Sequence, residues 1–208
     1  MVGEGVLHES LNHPDVESIL VINRRKCNVL HSKLKEIIID NFFDLSYIEN
    51  HLSGYNACFF CLGTTSVGKS EELYNKITFE LTKAFADKMV RINPEMTFCY
   101  ISGTGTDSSE KGRFMWARVK GKTENYILNR GFRDAYMFRP GLIIPTKGLK
   151  NTLTPYKIFA PLLPVMNLLF PKQVCLLKEI GLAMINAAST GYEKKVLEVK
   201  DIKTLALK

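Results

Sequence analysis

Ser102, Trp116 and Lys120 are the residues of this chain whose types and spacing most invite chemistry. Ser102 closes an apolar run. Trp116 and Lys120 stand four apart in a helical pattern, so one turn puts them on the same face. An indole N–H donates a hydrogen bond yet cannot act as an acid near neutral pH. Arg24 and Arg25 stand one residue past the aliphatic run Ile19 to Ile22, and guanidinium groups suit phosphate. Cys58 and Cys61 form a C-x-x-C inside the apolar stretch Ala57 to Leu62, and side chains three apart on a strand point to opposite faces. That spacing predicts neither a shared metal nor a disulfide. The four histidines show no zinc-ligand pattern.

The elements that would position these residues alternate along the chain. Ile19 to Ile22, Glu36 to Asp40, Ala57 to Leu62, Thr97 to Ser102 and Ala135 to Arg139 read as short buried strands, with Val196 to Val199 as an edge strand. Helical patterns run over Gly3 to Leu11, Leu45 to Leu52, Ser70 to Val90, Arg113 to Asn129 and Lys172 to Ala188. Ser70 supplies a start signal for the third of these. This order predicts an α/β fold: a doubly wound parallel sheet with helices on both faces, in one domain spanning residues 1–208. Prolines at 145, 155, 161, 164 and 171 interrupt the stretch from Pro145 to Pro171. It reads either as a small irregular lobe over the carboxyl ends of the strands, where ligands bind in such folds, or as a segment that closes the core.

Met1-Val2-Gly3-Glu4-Gly5 leads into the first helix and resembles the end of a glycine turn without its beginning. With Ile22-Asn23-Arg24-Arg25, Cys61-Leu62-Gly63-Thr64-Thr65, Ile101-Ser102, Arg118 to Glu124 and Phe138-Arg139-Pro140-Gly141, the chain resembles the atypical short-chain dehydrogenase/NAD(P)-binding family of Rossmann proteins, including its Tat-interacting-protein-like and epimerase/dehydratase-like members. The resemblance covers nearly the whole chain, to about Asp201-Ile202. Met1-Val2-Gly3 matches the last three positions of the family's Gly-x-x-Gly-x-x-Gly opening. The family's first strand lies at the centre of the sheet, and without it the sheet carries a gap with unpaired edges. The expectation is that the natural polypeptide starts about ten residues earlier, a strand plus a turn. The alternatives are a rearranged strand or a partner that fills the gap.

The resemblance implies a dinucleotide site built from Val2, Gly3, Arg24, Arg25, Asp40, Asn41, Leu62, Gly63, Thr64, Lys120, Pro140, Gly141 and Leu142. Arginines where the adenosine ribose would lie imply NADP rather than NAD, because a carboxylate there would instead accept from a 2′-hydroxyl. Asp40 and Asn41 would bond adenine, and Pro140-Gly141-Leu142 would border the nicotinamide. Ser102 and Lys120 match the family's catalytic serine and lysine, whereas Trp116 replaces its tyrosine. Three readings stay open: an oxidoreductase whose acid is Tyr100, Tyr126, water or the substrate itself, a catalytically silent NADP-binding sensor or regulator, or a Trp116 that is simply core.

The net charge of +7 is spread, with mild clusters at Lys147 to Lys157 and Lys194 to Lys208 and no basic motif interleaved with aromatics. A solvated face explains it better than nucleic acid, and part of it would serve a phosphorylated small ligand. No charge-free apolar run reaches the roughly 18 residues of a membrane span. Glu4, His8 and Glu9 interrupt any signal-peptide core. Five scattered cysteines add to the expectation of a cytosolic protein with an unidentified small-molecule substrate, and with a second copy or a regulatory protein as possible partner.

Overall fold

The computed structural model describes residues 1–146, 148–151, 170 and 172–208. Its centre is a parallel sheet in the order β3-β4-β5-β8, formed by Ala57–Phe60, Thr97–Ile101, Asp134–Arg139 and Val196–Glu198. Beside it stands a parallel pair, β1 (Ile19–Asn23) and β2 (Leu34–Ile38). A third pair, β6 (Leu142–Ile144) with β7 (Val174–Leu176), is also parallel.

Alternation along the strands divides the core in two. Phe59, Cys61, Cys99, Tyr136 and Phe138 face α1 (Val2–Asn12), α5 (Leu177–Thr190) and α6 (Val199–Leu205). Cys58, Phe60, Phe98, Tyr100 and Met137 face the opposite side, with Phe85 and Met89 of α3 (Leu81–Ile92) and Ile127 of α4 (Met115–Leu128). Helices therefore cover both faces, and Cys58 and Cys61 do point apart. Phe98 and Phe138 are fully buried, each contributing about 2 to 3 kcal/mol of transfer free energy. The α1–α5 contact is close because Gly5 leaves room for Leu177, and Gly181 leaves room for Glu9.

Ser70 caps its helix as expected, accepting from the Leu73 N–H at 3.2 Å. That helix runs through α2 (Glu71–Asn75) and a π-helical turn, Lys76–Glu80, into α3. Three expectations need correction. The strand expected over 36–40 is β2, pairing Ile19 with Leu34 through Asn23 with Ile38, so Asp40 and Asn41 fall in the turn beyond it. The helix expected from Lys172 starts only at Leu177, because Val174–Leu176 pairs with β6 instead. The helix over 45–52 is a 3-10 turn, Ser46–His51. The lobe expected over 145–171 lies mostly outside the described residues. At its start, the Lys150 and Asn151 N–H groups donate to Glu4 at 2.7 and 2.8 Å. Burial raises the Glu4 pKa, but these two bonds outweigh it and hold the carboxyl below its usual range.

Between β1 and β3 no strand stands among the described residues. Leu20, Ile22 and Ile37 nevertheless pack in the same cluster as Cys58, Phe60 and Leu62, so the two sheets are neighbours. The order 3-2-1-4-5 of a doubly wound sheet places its first strand in that position. Gly3, at the start of α1, lies against the tip of β3: a Cβ there would stand 3.3 Å from the Cβ of Cys61. A five-residue apolar strand with a glycine turn, fused ahead of Met1, is expected to pair both free edges and raise the thermal midpoint by about 5 °C or more. An unchanged midpoint would contradict this reading of the gap.

Candidate functional site

Every strand pairing is parallel, so β3, β4 and β5 present their carboxyl ends on one side of the sheet. The loop after β4 is drawn back onto β5: Ser102 N–H donates to the Phe138 carbonyl at 2.8 Å, and Thr104 N–H to the Pro140 carbonyl at 3.0 Å. Gly105, at φ 86°, continues it. The Trp116 indole closes over that turn, with Cη2 3.4 Å from where Gly105 would carry a Cβ. One turn along α4, Lys120 Nζ donates to the Ser102 carbonyl and lies 3.5 Å from that of Ile101. Thr104, Gly105, Trp116, Lys120 and Pro140 thus come together past the carboxyl ends of β4 and β5.

Ser102 does not join them by its hydroxyl. It is buried, and that hydroxyl donates to Glu124, with the Phe138 carbonyl 3.1 Å away. A single hydroxyl proton spent on a carboxylate is not available to a ligand. The exposed hydroxyl nearest Ser102 in this loop is that of Thr104, whose Oγ1 donates to the Arg139 carbonyl at 3.1 Å. The two phenols considered as acids are also corrected. Tyr100 is fully buried, and desolvation pushes its pKa far above the ordinary value. Tyr126 donates to Asp87 at 2.5 Å on the outer side of α4, beside Phe79.

Lys120 remains. Its side chain is partly buried, and loss of hydration lowers its pKa from 10.5 to about 8, although the charge of Glu124 opposes the shift. Below it Glu124, fully buried, accepts from Arg139 Nε at 3.0 Å and from the second guanidinium nitrogen. Arg139 also reaches Ser108 Oγ at 2.6 Å and Glu198 at 3.3 Å. Sequence reading assigned Glu124 and Arg139 no role. The available signal was the four-residue spacing of Lys120 and Glu124 on one helix face.

The expected nucleotide-binding residues divide. Arg24 and Arg25 are exposed just past β1, and Gly63 is exposed past β3 with no atom within 4 Å of a virtual Cβ. Leu62 packs into the core beside them, and Thr64 follows partly exposed. Val2 and Gly3 lie in the first turn of α1, where the N–H groups lack intrahelical acceptors. Asn41 is committed to its own turn, accepting from Phe43 N–H at 3.0 Å, and Asp40 is exposed beside it. Gly141 is needed for packing: a Cβ there would collide with the Gln173 carbonyl, which Leu142 N–H bonds at 2.8 Å. Among the described residues no group of three or more His, Cys, Asp and Glu side chains is placed to hold a metal. Burial raises the Cys61 thiol to about 12.

No protein-family model matches the chain. The fold aligns with a Bordetella bronchiseptica enzyme in complex with NAD at TM-score 0.68, 10% identity, over 100% of this chain and 74% of that one. It aligns with the UDP-glucose 4-epimerase of Thermotoga maritima at TM-score 0.66, 12% identity, over 99% and 78%. The fold is the Rossmann fold of epimerases and short-chain dehydrogenases. Among curated proteins the chain is 25% identical over 204 residues to protein FMP52-1, mitochondrial, of Scheffersomyces stipitis, covering 93% of this chain and 86% of the relative. It is 29% identical over 153 residues to protein fmp52, mitochondrial, of Emericella nidulans, spanning 63% of that relative's length. These relatives are mitochondrial by name, which overturns the expectation of a cytosolic protein. No helix among the described residues is long and apolar enough to cross a membrane.

Proposed function

We infer that this Rossmann domain binds a nicotinamide dinucleotide, NADP in preference to NAD, and serves as an oxidoreductase on an unidentified small molecule. The observation that carries the reading is Lys120: a dehydrated ammonium at the carboxyl end of a parallel strand, bonded among the described residues only to backbone carbonyls, beside the loop of Thr104 and one helical turn from Trp116. The residues fit the cofactor in this arrangement. Val2 and Gly3 offer N–H groups to its pyrophosphate, and Leu62, Gly63 and Thr64 leave the backbone of β3 open to approach. Arg24 and Arg25 offer guanidinium to a 2′-phosphate. Asp40 and the side-chain NH2 of Asn41, whose Oδ1 accepts from Phe43 N–H, would meet the adenine, while Gly141 keeps the chain close to Gln173. Pro140 and Leu142 border the nicotinamide end.

The dinucleotide, when bound, supplies a hydride. Lys120 holds a proton at Nζ for the substrate oxygen, in the place a phenol would otherwise fill. Thr104 Oγ1, whose proton goes to the Arg139 carbonyl, offers a lone pair to the hydroxyl of the reduced product. Trp116 covers the turn and excludes water. A silent NADP sensor is the second reading, favoured by the indole at position 116 and by the committed hydroxyl of Ser102.

The test separates the two nucleotides. Arg24→Ala with Arg25→Ala is expected to weaken NADPH binding by about 10- to 100-fold and leave NADH nearly unchanged, with a shallower salt dependence. Calorimetric titration checks it, and equal losses for both nucleotides would remove the NADP assignment. Turnover of NADPH with carbonyl compounds would exclude the silent sensor.

A further inference from the structure

Glu124 sits one helical turn beyond Lys120 and is its natural counter-ion, yet no hydrogen bond joins them. Both carboxylate oxygens of Glu124 are taken by Arg139, and Oε1 by the Ser102 hydroxyl as well. We propose that Arg139 is a positioning residue for Lys120: by engaging both oxygens of Glu124 it withholds that carboxylate and leaves Nζ facing only the carbonyls of Ile101 and Ser102. Arg139 is itself anchored from two further elements, by Glu198 at the end of β8 and by Ser108 in the loop after β4.

The electrostatics follow from this geometry. A carboxylate clamped by a guanidinium is close to neutral at a distance, so the lysine feels loss of hydration more than it feels Glu124. The other charges around Lys120 are few. Asp107, in the β4–α4 loop packed on the same helix, is tied to Ser109 and Gly112, and Glu198 lies behind Arg139. Freed from Arg139, the Glu124 carboxylate would turn to the lysine one turn away and hold its proton. The reach of this inference into catalysis rests on the function proposed above, but the contact itself does not.

The test therefore uses the nucleotide-free protein, carrying isotope-labelled lysine and titrated by NMR. Wild-type Lys120 is expected to titrate near 8. Arg139→Gln is expected to raise that midpoint by roughly 1 to 3 pH units. Glu124→Gln, which leaves the guanidinium unopposed, is expected to lower it. The double variant removes both charges and is expected to return to the wild-type midpoint, a coupling that a merely structural role would not produce. An unchanged midpoint in Arg139→Gln overturns the proposal. If that variant does not fold, an unchanged midpoint in Glu124→Gln overturns it equally. Shifts of the expected sign in a protein that binds no dinucleotide would sink the proposed function and leave this inference standing.

Discussion

Lys120→Met is expected to lower kcat for carbonyl reduction by about 100- to 10,000-fold, the usual contribution of a positioned proton donor. The same substitution is expected to stabilise the fold near neutral pH. Wild-type Lys120 holds its proton less tightly when folded, with the pKa lowered from 10.5 to about 8 by desolvation. Between those values the unfolded chain binds more protons, so wild-type stability rises with pH across the window. Below pH 8 both states are protonated and the full cost of the buried ammonium is present. Discounted for partial solvent access, that cost is about 1 to 3 kcal/mol. Methionine keeps much of the side-chain volume without the charge, although it leaves the Ser102 carbonyl without its Lys120 donor. Urea denaturation at pH 7 and pH 10 checks this: the gain over wild type should be largest at pH 7 and shrink at pH 10. A gain that grows with pH would reverse the sign of the argument.

Gly121→Ala is expected to cost about 3 kcal/mol or more, the largest loss of stability foreseen for a single added methyl. A Cβ at this position would overlap the Asp107 carbonyl, a backbone atom that cannot rotate away. The loop cannot easily retreat either. Asp107 N–H donates to the Ala117 carbonyl at 3.1 Å, and its carboxylate accepts from Ser109 N–H at 3.0 Å and Gly112 N–H at 2.6 Å. The Ser109 hydroxyl, donating to it at 2.6 Å, and then the Gly112 N–H hold the Asp107 carboxyl below its usual pKa. Because the loop carries Thr104 to the mouth of the site, activity is expected to fall with stability. Gly63→Ala is the control, since its virtual Cβ meets nothing within 4 Å. It should leave the thermal midpoint within about 1 °C and weaken dinucleotide binding. Equal destabilisation by both substitutions would show that the close approach at Gly121 is not what matters.

The parallel sheet was legible because its strands are short runs of branched and aromatic residues, Ile19 to Ile22 and Thr97 to Ile101 among them, separated by periodic helices. Less was legible where partners are distant in sequence. Val174–Leu176 reads as the start of a helix until β6 is brought alongside it. The hydroxyl of Ser102 looks free in the sequence and is spent only because Glu124 and Arg139, from a helix and a strand, converge beneath it. Asn41 and Gly141 likewise show their local duties only once the turn at Phe43 and the carbonyl of Gln173 are in place.

The chain holds a single tryptophan, Trp116, and it lies against Gly105 in the loop after β4, beside the position proposed for the nicotinamide. Its fluorescence, followed while NADPH and then NADH are added to the wild-type protein, reports directly on that place. Saturable quenching at one equivalent, tighter for NADPH, is the result the dinucleotide-site account predicts. Quenching that never saturates, for either nucleotide, would contradict it.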